Sequence, residues 1–516
     1  MNGPLPQRHR GIVLSARGMV SSAHPLASLA GARTLAAGGN AYDAALAMAG
    51  MTAVVLPGMC GLGGDAFAVV HDARKAEWTA YMGSGVGPDG GDVAFYRERG
   101  YHALPIDGPL SVAVPGAVDC WMRLHQAGAT RSLDELWAPA VAAARDGFVV
   151  GERLHGEAAG DGDKLRRDAV SHTVYLPGGA PPPVGSVLRQ PDLARSLHTV
   201  ANDPRSFYEG ELAQRCVATL TAQGAPFSGE EWAAHQTLVD TPIESGYGGV
   251  SLRTTLPPSP GYMVAQQLLR LDGRLRAQPW LSAGAVDMMA SAAREAFADR
   301  HRLVGSDNGA HRTLLQPLPA GGDTTCFVAV DSDGNAVSFI QSVAFVWGSG
   351  VMVPGTGVLL NNRAGRGFYL DDTHPNRVRP RARPMHTLNA WILAGGDGKP
   401  LAVGATPGGD GQVQWNVQMI SHLVDHGLDV QQTVEAPRFT VWPGSDADVI
   451  GSPPELRCEA RLGEATLDAL RAQGHDVRRL GDWDGGGGAQ IIALDREQGT
   501  LRGGSDPRVD GCALGI

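Results

Sequence analysis

Two short segments of the chain carry residue types that suit chemistry at a carbonyl group. The first is Gly322-Asp323-Thr324-Thr325, where a pair of threonines opens an alternating strand pattern after a glycine-rich stretch. A threonine hydroxyl becomes an effective nucleophile when a base lies beside it. The second is Pro407-Gly408-Gly409-Asp410-Gly411, a glycine loop between a predicted strand and a predicted helix. Its backbone N–H groups could hold an oxyanion, although the same residues also fit a simple tight turn.

Thr324 would supply both nucleophile and base if it became an N-terminus. In that scheme its hydroxyl attacks the preceding carbonyl, the peptide becomes an ester, and water cleaves the ester. The new α-amino group has an ordinary pKa of about 7.7–8.0 and can accept the hydroxyl proton near neutral pH. The residues alone also fit an ordinary strand start, since threonine is common in strands.

Predicted secondary structure places both segments at strand ends. Strand patterns at 324–331 and 336–343 flank an Asp-Gly turn, which predicts a hairpin. A further pair of strands is predicted at 401–405 and 490–495, and the glycine loop follows the first of them. Helical patterns cover 24–53, interrupted at Gly38-Gly39-Asn40, together with 133–147, 285–304 and a segment starting near Gln412. Because strands and helices mix throughout, we expect a layered α/β or α+β sandwich without independent domains.

The composition excludes several classes of protein. Of 516 residues, 43% are hydrophobic and 19% charged, which is too apolar for a globally disordered chain. The net charge of −10 argues against nucleic-acid binding, and no run of about 20 apolar residues predicts a membrane-spanning helix. The six cysteines are scattered without a CxxC or Cys/His cluster, so we expect no metal or other cofactor and no disulfide framework. The N-terminus lacks the apolar segment of a secretory signal, and we therefore expect a cytoplasmic protein.

The two carbonyl-directed segments belong to a longer series of short motifs. They are Gly18-Met19-Val20-Ser21-Ser22, Gly38-Gly39-Asn40-Ala41-Tyr42-Asp43-Ala44-Ala45, Gly61-Leu62-Gly63-Gly64, Val114-Pro115-Gly116, Ala298-Asp299-Arg300, Asp323-Thr324-Thr325, Asp333-Gly334-Asn335-Ala336-Val337-Ser338, Leu360-Asn361-Asn362, Arg383-Pro384, Pro407-Gly408-Gly409 and Gly488-Ala489-Gln490. Their order and spacing resemble the γ-glutamyltranspeptidase family of N-terminal nucleophile hydrolases over nearly the whole chain.

This resemblance implies a four-layer αββα sandwich that is made as a proenzyme. Cleavage between Asp323 and Thr324 would yield a large subunit, 1–323, and a small subunit, 324–516, which together form one sandwich domain. Thr324 would be the nucleophile, and Ser342 would hydrogen-bond it from the returning hairpin strand. The N–H groups of Gly408 and Gly409 would form the oxyanion hole. The partners would be a small-molecule substrate and the two subunits of one precursor, with a higher oligomer left open.

The substrate pocket departs from the pattern of true γ-glutamyl enzymes. Segment 81–88 lacks the arginine that would hold the α-carboxylate, and Asn361-Asn362-Arg363-Ala364-Gly365-Arg366 lacks the aspartate that would hold the α-amino group. A cationic site repels an ammonium group. The family's serine pair is replaced by His386-Thr387. These features resemble the branch that includes oxamate amidohydrolase and related acylases, and they make Asn362, Arg363, Arg366, His386 and Thr387 candidate substrate-binding residues.

The resulting hypothesis is a self-processing amidohydrolase for a small acyl amide that bears a carboxylate, with oxamate the best single guess. An arginine can bind such a carboxylate bidentately. Three alternatives stay open: a γ-glutamyl hydrolase or transferase acting on glutathione-like compounds, a biosynthetic C–C hydrolase that releases an oxalyl-type group, and an unprocessed, non-catalytic scaffold.

Overall fold

The computed structural model describes residues 8–305, 325–444, 449 and 451–516. Asp323 and Thr324, at the predicted cleavage site, lie outside the described residues. In this part of the chain, no helix is both long and apolar enough to cross a membrane.

The strands follow one another along the chain as β1 (Val13–Ser15), β2 (Met19–Ser22), β3 (Asp65–Asp72), β4 (Glu77–Gly83), β5 (Phe148–Val149), β6 (Val187–Leu188), β7 (Leu238–Asp240), β8 (Ile243–Tyr247), β9 (Val250–Thr254), β10 (Thr325–Val330), β11 (Ala336–Ser342), β12 (Met352–Val353), β13 (Val358–Leu359), β14 (Trp391–Ala394), β15 (Pro400–Ala405), β16 (Phe439–Trp442), β17 (Glu455–Glu459), β18 (Val477–Leu480), β19 (Gln490–Asp495), β20 (Thr500–Ser505) and β21 (Cys512–Gly515).

The α-helices are α1 (Pro25–Ala36), α2 (Ala41–Val55), α3 (Val93–Glu98), α4 (Ala117–Gly128), α5 (Leu133–Asp146), α6 (Glu152–Gly160), α7 (Gly162–Arg167), α8 (Ala169–Tyr175), α9 (Pro191–Asn202), α10 (Ser206–Glu209), α11 (Glu211–Ala222), α12 (Glu230–Ala233), α13 (Gly261–Leu271), α14 (Ala283–Leu303), α15 (Arg363–Gly367), α16 (Gly411–Val424), α17 (Val430–Glu435) and α18 (Glu464–Ala472).

Two seven-stranded sheets form the centre of the molecule. The first sheet has the order β1-β20-β19-β15-β14-β9-β8, and the second has the order β21-β2-β10-β11-β3-β4-β7. Neighbouring strands run antiparallel in both sheets. A smaller sheet, β16-β17-β18, stands apart from them. The predicted mixture of helices with a strand hairpin is therefore confirmed, and the predicted strands 401–405 and 490–495 pair as β15 and β19.

Of the four clusters of buried hydrophobic side chains among the described residues, three hold the two large sheets and their helices together. One group joins the second sheet to helices that include α1, α2, α4 and α5, and another joins the first sheet to helices that include α13, α14 and α16. The third group lies between the two sheets. Alternate residues of β10 serve different groups, since Cys326 and Val328 face the other sheet while Phe327 faces the helices. This period of two is the geometry of a strand buried on both faces.

Helix boundaries follow local signals that the sequence shows. The two helices predicted across 24–53 are α1 and α2, separated at Gly38-Gly39-Asn40 as expected. Asn40 caps α2 in a reciprocal capping box with Asp43, which satisfies two backbone N–H groups at the helix start. The helices predicted at 133–147 and 285–304 are also confirmed, as α5 and α14.

Candidate active site

The hairpin of β10 and β11 places Ser342 close to Thr325, the first described residue of β10. Thr325 is the first described residue of β10 and lies opposite Gln341, so Ser342 is the next residue along β11. Ser342 is buried, and its hydroxyl accepts a hydrogen bond of 2.8 Å from the Ala344 N–H. Thr324 precedes Thr325 in the sequence, and its role stays a prediction.

A buried amide fixes this end of the hairpin. The Gln341 side chain donates to the Thr52 hydroxyl at 2.8 Å and accepts from the Trp121 indole at 3.1 Å. Both partners lie on helices that cover the second sheet. A satisfied buried polar network of this kind specifies one register for the strand end.

The glycine loop predicted between a strand and a helix joins β15 to α16. Gly408 has a φ of +127° and Gly409 a φ of +62°, conformations that L side chains rarely adopt. A Cβ atom on Gly408 would lie 2.0 Å from Cζ3 of Trp415, one turn into α16. The tryptophan therefore occupies the space that a side chain at position 408 would need, and it holds the loop backbone in place.

A cleft of about 420 Å³ lies beside the Gly408–Gly411 loop. Phe345, three residues beyond Ser342, lines it together with Arg366 and the loop Gly408–Gly411. A second glycine segment, 485–487, and the small sheet β16-β17-β18 complete the described walls. Residues far apart in sequence thus meet around one cavity.

The two candidate arginines of α15 occupy different environments. Arg366 lines the cleft with 6% of its surface exposed, donates to the Ala344 carbonyl at 3.0 Å and stacks 4.0 Å above the Phe345 ring. Arg363 is fully buried, is not among the described residues of the cleft wall, and places Nε 3.3 Å from the Asp65 carboxylate. Of these two arginines, Arg366 is therefore the one that lines the cleft.

His386 belongs to the internal network of Arg363. Its Nε2 lies 2.9 Å from Asp65 Oδ2, and its Nδ1 accepts from the Leu388 N–H at 3.3 Å. Because Nδ1 is an acceptor, the proton sits on Nε2 and the ring is neutral. Burial, reinforced by the Arg363 charge, lowers the pKa of His386 to about 3. Burial alone would raise the pKa of Asp65, but the hydrogen bond from His386 and the Arg363 charge outweigh it and lower that pKa.

The remaining candidates also have defined positions. The Asn362 side chain accepts from the Phe345 N–H at 2.9 Å and donates to the Ile106 carbonyl at 2.6 Å, so it shapes the cleft wall through Phe345. The Thr387 hydroxyl is buried without a hydrogen-bond partner among the described residues. It lines a small cavity of about 10 Å³ beside Arg366, which is room for about one water molecule.

Comparison with known proteins identifies the family. The model of the γ-glutamyltranspeptidase family matches residues 27–317 and 306–516. The chain belongs to this family. It is 34% identical to a glutathione hydrolase-like proenzyme of Bacillus subtilis, with 98% of this chain and 99% of the relative covered. It is 32% identical to the oxamate amidohydrolase proenzyme of Klebsiella pneumoniae, with 97% and 99% covered.

A solved structure supports the same assignment at the level of the fold. The cephalosporin acylase of Bacillus halodurans matches with a TM-score of 0.88 and 30% identity, covering 100% of this chain and 98% of that one. This member of the γ-glutamyltranspeptidase family is therefore an enzyme, an amidohydrolase of the N-terminal nucleophile class made as a proenzyme.

Several residues around this family site were not singled out from the sequence. Asp65, directly after Gly61-Leu62-Gly63-Gly64, is the anion that Arg363 and His386 share. The glycine run at 485–488 is too short to predict a linker and indicates no site in the sequence, yet Arg438 donates to the Gly486 carbonyl and pairs with Asp506 beside it. Trp415 follows the Gly408–Gly411 loop by one helical turn, a spacing that could have been recognised as packing against the loop.

His386→Gln is expected to flatten the pH dependence of stability. With a pKa of about 3 in the folded protein and about 6.5 in an unfolded chain, His386 binds a proton only in the unfolded state between these values. The free energy of unfolding therefore falls as the pH falls from about 6.5 towards 3, by ~1.4 kcal/mol per pH unit for this group. Glutamine keeps a donor for Asp65 but does not titrate, so this part of the slope should disappear.

Urea unfolding of the uncut Thr324→Ala chain at pH 7 and pH 5 would measure that slope. His198→Gln, at a side chain that is 65% exposed, is the matched control and should leave the slope unchanged. An unaltered slope in His386→Gln would show that this histidine is already protonated in the folded state.

Proposed function

We propose that this enzyme cleaves a small acyl amide bearing a carboxylate, through an acyl ester on Thr324, with oxamate as the first candidate substrate. One observation carries the proposal: a single cleft joins the buried cation of Arg366 to the Gly408–Gly409 loop, near the end of the β10–β11 hairpin. An arginine can orient a carboxylate, and preorganised N–H groups can stabilise the oxyanion that forms when the carbonyl is attacked.

The proposed reaction has two halves. The Thr324 hydroxyl adds to the amide carbon while the α-amino group of Thr324 accepts its proton. The C–N bond then breaks, and the leaving amine takes that proton. Water next attacks the acyl ester, with the amino group again as base, and releases the carboxylic acid and free Thr324. Gly408 and Gly409 would hold the oxyanion in both halves, and Ser342 would hydrogen-bond the nucleophile.

The proposal also covers how the precursor is cut and how its two subunits are arranged. Cleavage between Asp323 and Thr324 would create subunits 1–323 and 324–516 and free the catalytic amino group. The two sheets, with one buried layer between them and helices on both outer faces, support a four-layer αββα sandwich in which both subunits share one domain.

Arg366 is the proposed carboxylate ligand, because it is the arginine of α15 that lines the cleft. Arg363 and His386 would act behind it, by anchoring α15 and the segment after Arg383 to Asp65. Thr387 and Asn362 would complete the acyl pocket, the first with its buried hydroxyl and the second by fixing Phe345.

A second candidate is a longer dicarboxylic acyl amide, such as a glutaryl amide. Two observations favour it: a cleft of about 420 Å³ with the aromatic side chains Phe345, Trp415 and Trp442 in its walls, and the structural similarity to a cephalosporin acylase. Large aromatic walls suit an apolar acyl chain better than the two-carbon oxalyl group.

A substrate screen tests both candidates and the alternatives. Oxamate, glutaryl amides and γ-glutamyl amides are offered to processed enzyme, and the Thr324→Ala chain serves as the blank. Turnover of oxamate or a glutaryl amide would support the proposal. Efficient turnover of only γ-glutamyl amides would replace it with a γ-glutamyl hydrolase, and oxalate release from a keto acid alone would replace it with a C–C hydrolase.

Arg366→Gln is expected to raise KM for the carboxylate-bearing amide about 10- to 100-fold, since a hydrogen bond to a charged group contributes about 1.5–3 kcal/mol. Steady-state kinetics on the processed variant measures this change. Arg377→Gln, at an exposed arginine of the segment that follows α15, is the control and should keep the wild-type KM. An unchanged KM in Arg366→Gln would place the carboxylate elsewhere.

A further inference from the structure

The small sheet β16-β17-β18 contributes a row of side chains to the outer part of the cleft. Thr440 lies opposite Arg457, and Arg457 lies opposite Arg478, in the register of the three strands. All three residues line the cleft, as expected for directly opposed residues, which project from the same face of a sheet. The row therefore forms one wall of the same cavity that Arg366 and the Gly408–Gly411 loop line.

Two arginines side by side on this wall share one carboxylate. Arg457 lies 2.7 Å from Glu455, and Arg478 lies 3.6 Å from the same oxygen. Like charges directly opposite one another destabilise a sheet, and the one Glu455 carboxylate offsets only one of the two positive charges, so an anionic ligand would stabilise the pair further. Asp410 and Asp484 also line the cleft. An anion preference would therefore come from the local arginine pair and not from the net charge of the cavity.

The pair also has a flat apolar partner. The Arg457 guanidinium stacks on the Trp442 ring at 4.1 Å, and Trp442 itself lines the cleft. Glu455 binds this guanidinium through Nε, so the two remaining NH₂ groups are the ones that could bind a ligand carboxylate, while the stacked surfaces offer contact to a ring.

The side chains of this wall are more exposed to solvent than Arg366, at the end of the cleft where the acyl group is proposed to bind. Arg366 is 6% exposed, whereas the side chains of Arg457 and Arg478 are 27% and 58% exposed. In an acyl-enzyme reaction the acyl group stays inside while the amine must leave towards solvent. The outer wall therefore faces the leaving group.

We propose that Trp442, Arg457 and Arg478 form a leaving-group subsite for amines that carry a carboxylate beside a ring. This inference rests on the proposed amidohydrolase function and narrows its substrate class to N-acyl derivatives of ring-bearing amino acids. The substrate would then present two carboxylates, one to Arg366 and one to the outer arginine pair.

Paired chromogenic substrates test the subsite. The acyl group is the one whose amide is cleaved most rapidly in the screen, and it is prepared as the 4-nitroanilide and as the 3-carboxy-4-nitroanilide. These two substrates differ only in a carboxylate on the leaving group. Processed wild-type enzyme is expected to prefer the carboxylated anilide in kcat/KM. Arg457→Gln and Arg478→Gln should each lower that preference about 10-fold, with kcat/KM for the neutral anilide kept, and added salt should lower the wild-type preference.

Arg479→Gln is the matched control. Its side chain is 52% exposed, pairs with Glu464 and is adjacent to Arg478, but it is not among the described residues of the cleft wall. The control should retain the wild-type preference. An equal preference in wild type, Arg457→Gln and Arg478→Gln would overturn the subsite while leaving the amidohydrolase function intact. If processed wild-type enzyme cleaved neither anilide and no amide of the screen, both the subsite and the amidohydrolase function would be overturned.

Discussion

Thr324→Ala is expected to leave the chain as a single band of 53.9 kDa without amidase activity. The substitution removes the hydroxyl that would attack both the preceding peptide and the substrate, so it blocks maturation and turnover together. Loss of a catalytic nucleophile commonly lowers kcat by roughly 10⁴-fold or more. Denaturing gel electrophoresis, intact mass and an assay with the best amide of the screen measure the two effects.

Thr325→Val is the matched control for this experiment. The Thr325 hydroxyl is buried and has no hydrogen-bond partner in the described part of the chain, so a methyl group in its place breaks no hydrogen bond to those residues. This variant should be cut and remain active. Thr324→Ser should also be cut, because it keeps the nucleophile. Two chains separated at position 324 in Thr324→Ala would rule out self-processing by this threonine.

Gly408→Ala is expected to lower kcat about 10²- to 10³-fold, the usual effect of losing one oxyanion-hole donor. The new Cβ would lie 2.0 Å from Cζ3 of Trp415, and the φ of +127° is one that alanine rarely adopts. The loop must therefore move, and its N–H groups would turn away from the oxyanion. Steady-state kinetics, expressed per cut molecule from the same gel, separates a defect in turnover from a defect in processing.

Gly474→Ala tests whether backbone strain alone explains that loss. Gly474 has a φ of +94°, and a Cβ there would meet no described atom within 4 Å. Alanine at position 474 would have to adopt a similarly unfavourable φ, but away from the cleft, so Gly474→Ala should keep the wild-type kcat. A wild-type kcat in Gly408→Ala would remove this loop from the oxyanion hole.

The local sequence determined much of the architecture. Asn40 and Asp43 stand at the spacing of a capping box, and the Asp-Gly turn between two alternating segments specifies the β10–β11 hairpin. These signals act over a few residues, so they can be recognised without knowing the fold. The motif series likewise predicted the family before any contact was known.

The tertiary structure alone decided which candidates share the cleft. Arg363 and Arg366 stand three residues apart and look equivalent in sequence, yet one is paired with Asp65 in the interior and the other lines the cavity. No local sequence pattern indicates that Arg457 and Arg478 are neighbours, because they meet through the parallel pairing of β17 with β18 and stand 21 residues apart. Burial and charge pairing depend on which distant elements pack together, and that information is absent from any short segment. Sequence motifs thus predicted the chemistry, whereas long-range packing selected the residues that can meet a substrate.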